Sequence, residues 1–163
     1  MENDYDWERR EAALWAAIED HEPQEFRAKV DALAAELPPD SAVAPFERAC
    51  AFDSTGHPDE AVPLYRQALE LGLEGERRRR ATIQMASSLR NLGDAEQCVA
   101  LMRAERARTC DHLDDAVAAV LALGLADLGR EREALSIALG ALAPHLPRYQ
   151  RSMGSYARML LDG

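Results

Sequence analysis

Four short segments of this 163-residue chain line up with one another: HEPQEF at 21–26, GHPDEA at 56–61, GDAEQC at 93–98 and GREREA at 129–134, spaced by 35, 37 and 36 residues. A recurrence at that period narrows the fold sharply, because each copy is one small unit that can bury its apolar face only against its neighbours. Each segment follows one apolar-periodic stretch and opens another, so it reads as the turn between two antiparallel helices. The local chemistry agrees. Pro23 and Pro58 stand where a first helical residue would be, a position at which the missing N–H is harmless. Asp59 and Glu60 suit the positive end of a helix. Asp94 followed by Gln97 has the form of a capping box. Gly56, Gly93 and Gly129 fall where a preceding helix ends and a left-handed residue is commonly required.

Composition supports helices throughout. Val, Ile and Thr together number twelve, too few to build a sheet, whereas Ala, Leu, Glu and Arg dominate. Ala61, Leu64, Tyr65, Ala68, Leu69 and Leu71 trace an apolar stripe at three- and four-residue intervals. The spacing predicts helices at about 5–20, 23–36, 41–54, 59–72, 76–91, 95–108, 114–127, 131–143 and 148–161. Breakers at Pro38-Pro39-Asp40, at 72–75 and at Pro144 to Pro147 separate successive hairpins. At this length one buried core, and so a single domain over 1–163, is the expectation.

The run GHPDEAVPLYRQALELGLEG resembles the turn and second helix of the tetratricopeptide repeat, a helical hairpin with small residues where its two helices cross. Gly56 matches the turn, Ala61 and Ala68 the small sites and Tyr65 the large aromatic site; Ala49 and Phe52 match the preceding helix. A third hairpin keeps Ala86, Leu89, Gly93, Cys98 and Met102, and a fourth keeps Leu121, Ala122, Leu125, Gly129, Ala134 and Ala141. In the first, Phe26 stands at the small crossing site and no glycine marks the turn. The resemblance therefore covers 41–143 well and 7–40 poorly. It implies an all-α chain, an α-α superhelix of stacked hairpins with a concave groove: an atypical first hairpin at 7–40, hairpins at 41–75, 76–110 and 111–147, and a capping helix at 148–161.

Charge and motif content exclude several classes of function. The net charge of −10 opposes nonspecific nucleic-acid binding, which needs clustered cations to neutralise phosphates. Residues 1–40 hold twelve acidic and four basic side chains, a net of −8, so the acidity is mainly N-terminal. Lys29 is the single lysine among nineteen basic residues, which leaves planar, bidentate guanidinium groups as almost the whole cationic complement. No stretch approaches the ~20 apolar residues of a membrane span. The acidic, amphipathic start lacks the form of a secretory leader, which makes the cytoplasm the expected compartment. Cys50, Cys98 and Cys110, spaced by 48 and 12, fit neither a disulfide framework nor a zinc site and are expected to be reduced, small buried hydrophobes. His21, His57, His112 and His145 all fall in predicted turns without a neighbouring Cys or His at ligand spacing, so they are expected as capping or loop residues and no metal is implied. The cluster Asp111, His112, Asp114 and Asp115 is expected to cap the helix beginning near 114. There is no glycine-rich phosphate loop, nucleophile elbow or HExxH helix, and Ser87-Ser88 beside Arg90 is no nucleophile with its base; neither enzymatic activity nor a cofactor is expected.

In the family, the first helix of each hairpin lines the groove. Carried over, this places apolar Trp15, Phe46, Ile83 and Leu123 there, with Arg80, Ser87, Arg90 and Asn91, joined by Arg151 and Arg158 of the final helix. Such arginines could hold an extended, acidic peptide through charge-assisted hydrogen bonds, each worth ~1.5–3 kcal/mol when sheltered. The lysine and asparagine set of the family's chaperone-tail clamp is not found. The run Arg77 to Arg80 is the sharpest charge feature; it suits an acidic partner, with Glu74 and Glu76 close enough to neutralise part of it. Arg90→Glu is expected to leave folding nearly intact. The function implied is a non-enzymatic scaffold binding a peptide or partner protein. The alternatives are a self-associating homodimer, burying Met153, Tyr156, Met159 and Leu160, and a small-molecule-binding regulator with Arg80, Arg90 and Arg158 as anion-binding groups.

Overall fold

Gly56, Gly93 and Gly129 have φ of 82°, 94° and 71°, the left-handed conformation expected of them. Each ends a helix with the same pair of backbone bonds. Gly56 N–H donates to Asp53 O at 3.1 Å and His57 N–H to Phe52 O at 2.9 Å; Asp94 repeats the second bond to Leu89 O, and Arg130 to Leu125 O, each at 2.9 Å. The carbonyls left over at each helix end are thereby satisfied at a turn tight enough to reverse the chain.

The computed structural model describes residues 2–108 and 110–162, with side chains from Tyr5 onward. Among the described residues every regular element is helical: α1 Glu2–Ala16, α2 Pro23–Ala34, α3 Val43–Ser54, α4 Pro58–Glu70, α5 Gly75–Asn91, α6 Ala95–Arg108, α7 Asp114–Asp127, α8 Glu131–Leu142 and α9 Gln150–Met159. These match the periodic stretches of the sequence to within a few residues. The main departure is at the first hairpin, where α1 stops at Ala16 and a short 3₁₀ turn, Ile18–Asp20, leads into Pro23. No glycine is present there to reverse the chain in one step. The cap at Asp94 forms as expected on one side, its carboxylate accepting from Gln97 N–H at 3.0 Å; the Gln97 amide turns to the same carboxylate at 3.3 Å.

The chain divides into two compact units, Met1–Ala81 and Thr82–Gly163, with the division falling inside α5. In the first, Phe26 is wholly buried with Val30 and Ala51, under Leu14, Trp15 and Ile18. Trp15 meets the Phe26 ring edge-on at 5.0 Å, so the large residue at this crossing is filled around by an indole rather than by close helix approach. Ala49, Ala61, Tyr65 and Ala68 are completely buried where α3 and α4 pack. In the second unit Ile83, Ala86, Cys98, Met102, Leu121 and Leu125 form one core. Gly124 of α7 lets α6 approach closely: a Cβ there would lie 3.1 Å from both Cys98 Sγ and Val99 Cγ2. α9 packs on α8.

Candidate functional site

α5 supplies five of the ten expected groove residues, and its basic run is spread over several surroundings. Arg77 is held by Glu8 of α1 through a two-pronged pair at 2.9 and 2.6 Å, and its Nε lies 3.4 Å from Glu47 of α3. Arg79 is buried. Arg80 is exposed and stacks its guanidinium over the Phe46 ring at 5.5 Å. Two of the four arginines thus point into the packing of the first unit. The reason is register: four consecutive helical residues sweep more than a full turn, so they cannot share a solvent face.

Two expected groove residues belong to the core. Phe46 has no exposed surface, closed over by Arg80 and by Tyr65, whose ring centroid is 6.4 Å away; Ile83 is 8% exposed among Val117, Leu121 and Met102. Apolar side chains on a helix flanked by helices find neighbours before they find a partner. Trp15 is half-buried, its Nε1–H donating to Glu47 Oε2 at 3.0 Å.

In the second unit α5 and α7, the first helices of successive hairpins, are joined directly. Arg90 Nε sits 2.6 Å from Asp127 Oδ2. Arg90→Glu would set two carboxylates against each other here. On either side of that pair Ser87 is half-buried, Asn91 exposed and Leu123 47% exposed, a patch of mixed polarity on two adjacent helices. Arg151 and Arg158 are exposed on α9, Arg158 donating to Ser155 Oγ at 3.2 Å. A crevice of about 530 Å³ in this unit has a floor of small residues, Ala118, Gly140, Gly154 and Ala157, with Arg106 and Arg158 at its rim.

The thiols differ from one another. Cys50 and Cys98 are buried as expected, and burial, followed by the charge of Glu47, pushes the Cys50 thiol up to about 12. Cys110 is exposed, against expectation; it lies in the link after α6, outside either helix, and its S–H donates to Asp114 Oδ2 at 2.8 Å. The acidic cluster around it places Asp114 and Asp115 in the first turn of α7 and also orders that link: Asp111 Oδ1 accepts from Leu113 N–H at 2.7 Å and Asp114 Oδ1 from Asp111 N–H at 3.2 Å. His57 precedes α4 with Nδ1 2.8 Å from Thr55 O, and His145 Nε2 is 2.7 Å from Asp115 Oδ2. Among the described residues no three His, Cys, Asp or Glu side chains converge as metal ligands, and no helix is long and apolar enough to cross a membrane.

Glu47 was not singled out in the sequence. It is 3% exposed, and burial first, then the charge of Glu11, raises its carboxyl to about 7, against the opposing pull of the Trp15 N–H and of Arg77. Its only sequence signal is a glutamate one turn before Cys50 and Ala51 in a mainly apolar helix.

A family model described as a tetratrico peptide repeat matches residues 42–160. No curated protein and no solved structure matches the chain.

Proposed function

Because the chain belongs to the tetratricopeptide repeat family, we propose that it is a non-catalytic scaffold that holds a peptide or a segment of a partner protein, of acidic chemistry, in a reducing, cytoplasmic setting. Proteins of this family generally serve protein–protein interaction, and stacked hairpins offer extended surfaces suited to it. The observation that carries the reading is the direct junction of α5 to α7 through Arg90 and Asp127, beside which Asn91 and Leu123 are exposed and Ser87 is half-buried. A partner laid across these two helices would bury Leu123 and exchange hydrogen bonds with Asn91. Arg151 and Arg158 supply unburied positive charge on the same unit. In the first unit Arg80 and Trp15 keep part of their surface free. Cys50, Cys98 and Cys110 are not joined in disulfides, in agreement with a reducing compartment.

The test is a double variant, Asn91→Ala with Leu123→Glu, used beside wild type as immobilised bait for proteins from the source cells. Exposed substitutions of this kind are expected to move stability by less than ~0.5 kcal/mol. Partners retained by wild type and lost by a variant of unchanged melting temperature would support the α5–α7 surface. An identical captured set would remove that surface from the function.

A further inference from the structure

α9 differs in charge from the rest of the molecule. From Ala134 to Leu161 there is no Asp or Glu, yet Arg148, Arg151 and Arg158 fall there, in a chain whose net charge is −10. Arg151 and Arg158 are two turns apart and therefore share a flank of the helix. Ala157 marks the buried side. Tyr156 and Met159 are 59% and 62% exposed, and Ser152 and Ser155 lie on the helix between Tyr156 and the arginines. At the start of the helix Tyr149 has a φ of 70°, a left-handed conformation for a bulky residue, and projects its ring with 75% of its surface exposed. Gln150 ties this start down by donating to Pro144 O at 3.0 Å and Leu146 O at 2.9 Å. Tyr149, Arg151, Ser152, Ser155 and Tyr156 thus wall a shallow trough of about 510 Å³. Small hydroxyls form its floor, and guanidinium and aromatic groups form its sides. That chemistry fits a segment rich in carboxylates, which the guanidinium groups can grip while the rings cover its stems.

The complementary surface exists on the same chain. Residues 1–40 carry a net charge of −8. Five of these twelve carboxylates are held in ion pairs: Asp6 and Glu36 by Arg10, Glu8 by Arg77, Glu25 by Lys29 and Asp31 by Arg48. At the link between α1 and α2, Glu19, Asp20 and Glu22 are exposed within four residues of one another. A symmetric pairing of α9 with α9 would instead set arginines against arginines with no acid between them, a repulsive arrangement.

We propose that the outer face of α9 docks on the acidic α1–α2 link of a second copy of the chain, in a head-to-tail contact. The contact joins two different surfaces of the chain, so association increases as concentration rises. The contact is between exposed charges, so salt weakens it. The proposal stands apart from the α5–α7 surface and does not depend on it.

Sedimentation of the wild-type chain over a wide range of concentration tests this. The expected result is an average mass that rises with concentration at low salt and returns to that of one chain at high salt. The charge reversals Arg151→Glu with Arg158→Glu, and separately Glu19→Arg with Asp20→Arg and Glu22→Arg, are each expected to give single chains. Mixing the two variants restores association, because each then offers the surface the other lacks. A wild-type chain that stays single at every concentration overturns the proposal, as does association indifferent to salt. Variants that keep their helical spectrum but fail to recombine overturn it too, and the salt series on the wild type decides the matter if a variant does not fold.

Discussion

Glu47 shows how one side chain acquires a role from three helices at once. It stands on α3, accepts from Trp15 of α1 and lies 3.4 Å from Arg77 of α5, with Glu11 of α1 as a competing acid. Its carboxyl, raised to about 7, is held above the ordinary value of 4.5, so the fold prefers the neutral form. The associated stability is complete below about pH 4.5 and is lost as the pH rises through about 7. Glu47→Gln keeps an oxygen for the Trp15 N–H and leaves Arg77 its pair with Glu8. It is expected to raise stability by about 1–3 kcal/mol near pH 8 and to change little near pH 5. Urea unfolding at the two pH values checks this; equal effects at both would remove Glu47 as the titrating group. The sequence presents Glu47 only as a glutamate in an apolar helix. Its shift comes from burial beneath neighbouring helices and then from Glu11, 36 places before it, against the opposing pull of Arg77, 30 places after it, residues which local periodicity does not connect.

At the scale of the element, helix and turn chemistry were legible because both are local. The glycine turns, the prolines at the starts of α2 and α4 and the Asp94 cap each depend on a few consecutive residues. Gly93, at φ 94°, cannot take a side chain without strain, although nothing lies within 4 Å of its added Cβ. Gly93→Ala is expected to cost about 1–2 kcal/mol. Gly140, inside α8 with equally open space, gives the opposite sign: Gly140→Ala is expected to stabilise by about 0.5–1 kcal/mol, as helix entropy alone requires. Thermal melts of the two variants, moving in opposite directions, separate backbone conformation from packing. What the elements did not reveal was direction. The run from Arg77 to Arg80 reads as one charged patch, yet the helix turns Arg79 inward and Arg80 onto Phe46.

Across the whole molecule, contacts run mainly between helices adjacent in sequence, and a repeat of this kind is expected to absorb damage locally. Gly124→Val would drive a branched side chain into Cys98 and Val99, already 3.1 Å from a Cβ, and is expected to cost about 1–3 kcal/mol. Hydrogen exchange is expected to quicken in α6, α7 and α8 while amides of α1 to α4 keep rates near wild type. A uniform acceleration would mean that the two units unfold as one. The period, the helices, the turns and the family resemblance were determined by sequence alone, because each rests on residues near one another along the chain. Tertiary structure alone decided which polar groups were sealed in and which were left outside. Phe46 and Ile83 went into the core, Cys110 out of it, Arg90 to Asp127 and Glu47 into a buried acid cluster. The physical reason is that burial and ion pairing depend on what neighbouring helices bring to a surface, and a helical period specifies a face without specifying what will cover it.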